Sequence, residues 1–133
     1  MLRALVVAVA VLGIGACYAG LSAERFIDRS GPRGIQVNVQ LQRGKLPGEL
    51  LEVQDTALLV LRLKERQVVL MPLREIRSAT YHKRGLFIYR GAFVTAETAA
   101  EARMLSRYPA GLTPALRASL LAAYGQTQPM VAP

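Results

Sequence analysis

The sequence predicts a mainly β fold with a C-terminal α part: a small antiparallel barrel followed by a helical hairpin. Three observations carry that expectation. Ile35, Val37, Val39 and Leu41 alternate with Gln36, Asn38, Gln40 and Gln42, the two-residue period of a strand with one wet face. From there to Tyr81, apolar runs are cut by turn residues at intervals of about ten positions. Beyond Thr95 the apolar spacing becomes helical. The 133 residues leave room for one small domain with additions. With 52% hydrophobic and 20% charged residues, the chain is not a disordered polyelectrolyte.

The elements follow in chain order. Met1-Leu2-Arg3 is a short basic start, and Ala4 to Ala23 carries no charge. The most apolar stretch, Ala4–Leu12, runs into Gly13-Ile14-Gly15-Ala16-Cys17, the layout of a secretory signal. Ile14-Gly15-Ala16-Cys17 resembles the lipobox of bacterial lipoproteins: an aliphatic residue, two small residues and Cys. The resemblance implies that residues 1–16 are a signal peptide cut away before Cys17, and that Cys17 is lipidated. It implies a cell-envelope protein held to the membrane through its lipid anchor. Tyr18 follows Cys17 where an Asp would imply inner-membrane retention, so the implied place is the outer membrane, facing the periplasm. A single acyl chain binds marginally, at roughly 0.8 kcal/mol per buried CH₂, and the three implied by the resemblance make attachment lasting. The competing expectation is an uncleaved single-pass anchor, since the uncharged run spans about 30 Å as a helix. Gly13, Gly15 and Gly20 weaken that helix.

Residues 17–34 read as a tether, with Ser30-Gly31-Pro32 as linker chemistry. The barrel is expected over residues 35–94. After the alternating first strand, Arg43-Gly44-Lys45 supplies a turn. Leu46–Gln54 is the second strand, with Pro47 at its start or on an edge and Gly48 marking a bulge or bend. Ala57–Leu63 is apolar on both faces at first. Lys64-Glu65-Arg66 turns the chain into Gln67–Leu73, and Pro72–Glu75 closes with one helical turn before a short strand over Ile76–Tyr81. Gly48-Glu49-Leu50, Asp55, the apolar Leu58–Leu61 and the Pro-Leu-x-x-Ile turn ending at Ile76 together resemble an SH3-like or Sm-like barrel. The resemblance implies a fold and leaves the function open. Leu86–Tyr89 is strongly strand-forming, and Ile88-Tyr89-Arg90-Gly91 resembles the second Sm motif, so residues 86–93 form either a late barrel strand or an addition.

The helical hairpin is expected over residues 95–125. Thr95 caps a helix over Ala96–Tyr108, with Met104, Leu105 and Tyr108 as its apolar patch. Thr113 caps a second helix with Pro114 at its first position. Leu116, Leu120 and Tyr124 share one face, and Gly125 stands where a C-terminal glycine belongs. Residues 126–133 read as a disordered tail.

The chemistry-bearing residues are sparse. One Cys forms no internal disulfide, and one Cys with one His builds no zinc site. His82 lies in a Lys/Arg-rich turn with no acidic neighbour, and Glu49 and Glu52, three apart in a strand, are expected on opposite faces. Gly13-Ile14-Gly15 has no strand–turn–helix unit around it and belongs to the leader. A non-enzymatic module without cofactor or metal is therefore expected. The net charge of +8 concentrates in Arg62, Lys64 and Arg66, and in Arg74, Arg77, Lys83, Arg84 and Arg90. These are candidates for an anionic partner, a lipid or an envelope protein. In a cytoplasmic Sm-like barrel such charge would point to RNA. Here Leu58 stands where the Sm resemblance would require a base-contacting Asn, so no nucleic-acid partner is expected.

Overall fold

The computed structural model describes residues 34–81 and 85–132. The expected signal peptide, Cys17, the tether up to residue 33, His82, Lys83 and Arg84 lie outside the described residues. The chain forms β1 (Gln36–Leu41), β2 (Gly44–Val53), β3 (Ala57–Arg62), β4 (Gln67–Pro72), a 3-10 turn (Leu73–Glu75), β5 (Ile76–Tyr81), β6 (Gly85–Tyr89) and β7 (Ala92–Phe93). Two helices follow, α1 (Ala96–Leu105) and α2 (Pro114–Ala123), and then β8 (Met130–Val131).

All eight strands belong to one sheet, in the order β7-β6-β5-β1-β2-β3-β4-β8. The sheet curls into a half-barrel. Its inner face collects the apolar half of β1 (Val37, Val39, Leu41) with Leu50, Leu58, Val60, Val69, Met71 and Phe87. Tyr81 and Phe87 stack within this core at 4.3 Å between centroids. The period-two pattern of β1 is thus the difference between a buried inner face and a wet outer one. β3 is apolar on both faces for a local reason: Leu59 and Leu61 face outward with Leu51 and Val68, and Leu120 and Leu121 of α2 cover them. Residues 86–93 extend the sheet, since β6 pairs with β5 and β7 with β6.

The expectation of a helical hairpin is corrected. α1 sets Ala102 and Leu105 against the inner core, beside β2, β6 and β7. α2 lies on the outer face of β2–β4 through Leu116, Leu120 and Leu121. The helices serve two sides of the sheet because each has its own apolar surface to cover. The caps agree with the sequence reading: the Thr95 and Thr113 hydroxyls accept from Thr98 and Leu116 N–H groups. The first helix stops at Leu105, three residues short of the expected end, and Met104 of its expected apolar patch is exposed.

The tail is also corrected. Residues 126–132 seal the β4 edge. The Gln126 side chain accepts from Val68 N–H (2.7 Å) and donates to Val68 C=O (3.0 Å), imitating a strand. β8 then pairs in parallel with Val69 and Leu70, and Ala132 N–H donates to Leu70 C=O (2.9 Å). An uncovered edge invites pairing with other chains. Deleting residues 126–133 is expected to cost about 2–4 kcal/mol, at about 1 kcal/mol per lost hydrogen bond. The same deletion should bring concentration-dependent association, visible by sedimentation velocity beside a monodisperse parent.

Candidate functional site: a cationic cleft on the outer sheet face

The wet side of β1 forms the floor of the candidate site. Across four strands the register aligns Lys45 of β2, Gln40 of β1, Ser78 of β5 and Tyr89 of β6 in one row. The next row aligns Pro47, Asn38, Thr80 and Leu86. Where β5 starts and β6 ends, this floor drops into a cleft of about 510 Å³. Its walls are Arg74 from the 3-10 turn, Arg77 from β5 and Arg90 from the β6–β7 turn, with Gln40, Gln42 and Ser78 below. A smaller recess of about 400 Å³ continues over Asn38, Thr80 and Lys45. Among the described residues, no acidic side chain lines either recess.

Local backbone geometry places the three arginines. Arg90 N–H donates to Arg77 C=O (2.8 Å) and Gly91 N–H to Ile76 C=O (2.9 Å), which ties the β6–β7 turn to the start of β5. Arg90 lies at φ 50° and Gly91 at φ 79°, the sign a tight two-residue hairpin turn requires. The Arg90 guanidinium sits 5.2 Å from the centre of the Tyr89 ring. Arg74 reaches Glu75 at 3.4 Å with its side chain 82% exposed, a pairing that solvent weakens.

The cationic residues singled out in the sequence therefore divide. Arg74, Arg77 and Arg90 converge. Arg62, Lys64 and Arg66 lie at the far end of β4, in and beside the β3–β4 turn. There Arg62 pairs with Glu65 at 2.9 Å and Arg66 lies over Tyr124 at 5.6 Å. Lys64 is exposed. Leu58 is fully buried in the inner core.

Sequence reasoning missed a second polar cluster. Leu51 is the extra residue of a bulge: Glu49 opposes Leu61 and Glu52 opposes Leu59. The bulge puts both carboxylates on the outer face, against the expectation of opposite faces. Both hold the α1–α2 connection. Glu49 is fully buried and accepts from Arg107 Nε and Nη2, each at 2.7 Å, and from Gly34 N–H at 2.7 Å. Glu52 accepts from Arg117 (3.3 Å) and from Leu112 N–H (3.4 Å). Burial opposes the charge on Arg107, but the hydrogen bonds and charge of Glu49 outweigh it and hold the pKa above its ordinary value. Burial pushes the Tyr108 phenol up, and Arg107 partly offsets that shift. One signal for this cluster was present: two carboxylates inside an apolar strand require buried partners.

Among the described residues, no group of three or more His, Cys, Asp or Glu could hold a metal ion, and no helix is long and apolar enough to cross a membrane. What the fold and the cleft define is a mainly β protein that presents a cationic recess built from three separate segments. Neither family models, curated proteins nor solved structures give a match to this chain.

Proposed function

We propose that this is an exported, lipid-anchored cell-envelope protein that acts as a non-enzymatic binding or structural module, with the cationic cleft as its contact surface. The observation that carries the reading is the sole cysteine, Cys17, placed behind a basic start and an uncharged apolar run in Ile14-Gly15-Ala16-Cys17. The body is read as an SH3-like or Sm-like barrel with additions. In support, β5-β1-β2-β3-β4 are consecutive neighbours in the sheet, β2 is long and bulged at Leu51, and a 3-10 turn joins β4 to β5. A basic body held at a membrane gains roughly 1 kcal/mol per Lys or Arg brought near an anionic surface.

Intact mass of the membrane-extracted protein tests the anchor. The expected species begins at Cys17 and carries acyl chains, and Cys17→Ala should leave an unmodified chain that keeps its leader. A soluble, unacylated protein beginning at Met1 would defeat the proposal.

A further inference from the structure

We propose that the cleft walled by Arg74, Arg77 and Arg90 binds a phosphorylated polyol: a phosphate ester on a hydroxyl-rich body, such as a sugar phosphate or a phosphoglycerol headgroup. The inference rests on reading the cleft as the contact surface of a binding module and adds the class of ligand.

Two features select the phosphate. Three arginines line one recess, and among the described residues no acidic side chain does. Their planar forks match phosphate oxygens in a way that an ammonium does not. Arg90 also occupies a turn position that ordinarily carries Gly, Asn or Asp, because its φ is 50°. Backbone bonds to β5 fix its main chain beside Arg77, and the Tyr89 ring gives its guanidinium a resting place. The ligand then orders a side chain whose backbone is already set.

The floor selects the rest of the ligand. Gln40 and Gln42 carry amides and Ser78 a hydroxyl, groups that both donate and accept. They suit hydroxyls, which also do both, while Ile76 and Tyr89 complete the lining with apolar surface that suits the carbon face of a polyol. About 510 Å³ is far more than one phosphate fills and lies within the range of small-molecule sites, about 300–1,000 Å³. The neighbouring recess over Asn38 and Thr80 continues the same polar lining.

The test titrates the full chain, purified in detergent, by calorimetry with glucose 6-phosphate, glucose and inorganic phosphate. Titration with glycerophosphoglycerol, the phosphatidylglycerol headgroup freed of its acyl chains, runs in parallel. Saturable binding of glucose 6-phosphate, tighter than inorganic phosphate and absent for glucose, is expected if the source is a soluble sugar phosphate. Binding of glycerophosphoglycerol without binding of glucose 6-phosphate assigns the headgroup as the source. In either case Arg77→Gln and Arg90→Gln should each weaken binding by about tenfold or more, with an unchanged Tm. Lys64→Gln, in the turn at the far end of β4, should leave it unchanged. Binding to none of these probes, or equal loss in Lys64→Gln, overturns the inference. The readout does not depend on the anchor, so it can fail while the mass of the mature protein still shows acylation, and the reverse.

Discussion

Replacing Glu49 with alanine is expected to remove about 3–5 kcal/mol of folding stability, because it leaves the Arg107 guanidinium buried without its counter-charge. A domain of this size has only about 5–15 kcal/mol to lose, so the variant should unfold at much lower urea. The geometry accounts for the size of the effect. Arg107 is 8% exposed, and both of its bonds to Glu49 are 2.7 Å long. The same carboxylate accepts the Gly34 N–H, so its loss also orphans the point where the chain enters the sheet. Beside it, Ile35 N–H donates to Leu105 C=O, and Arg107 and Tyr108 N–H groups donate to Leu50 and Leu51 C=O. The start of β1, the end of α1 and the bulged edge of β2 therefore fail together. The double variant Glu49→Leu/Arg107→Met should recover much of the loss, since no unpaired charge stays buried. A double variant as unstable as Glu49→Ala would show that the lost bond to Gly34 dominates.

Gly48→Ala is expected to cost about 1–3 kcal/mol, the range for forcing atoms into a filled interior. A methyl group at this position would stand 2.5 Å from the Leu61 carbonyl oxygen and 2.6 Å from Val60 Cγ1. The first of these is backbone, so β3 itself must move. Relief would come from moving β2 and β3 apart, which would disturb Leu50 and Val60 on the inner face. The expected readout is a lower urea midpoint with an unchanged slope, and a parent-like midpoint would mean that the contact yields freely. Pro47 needs no such accommodation. It lies where β2 extends past its ladder with β3, which begins at Glu49 and Leu61.

Local chemistry made most of the sheet legible. The alternation over Ile35–Gln42 named both faces of β1, and the outward residues became the floor of the cleft. Thr95, Thr113 and Pro114 named the helix starts, because capping depends on neighbours a few residues away. What escaped was set over long separations. One extra residue at Leu51 turned Glu52 to the face of Glu49, whereas the bulge or bend read from the sequence was placed at Gly48. α1 is rich in alanine, and its buried Ala99 and Ala102 carry too little apolar area to show which surface they meet. The tail looked polar because Gln126 works through its amide, filling the place of a backbone partner beside Val68. The cleft was half visible: its cations were named with those of the β3–β4 turn, and only the fold separated the two groups.

The arrangement around β2 imposes an order on assembly. Glu49 is synthesised long before Arg107, Glu52 long before Arg117, and Val68 long before Gln126. Until residues 105–132 are made, the growing chain carries charged and unzipped edges. Premature collapse would then bury carboxylates without counter-ions, a cost that holds the earlier strands back from closing before the last segment arrives.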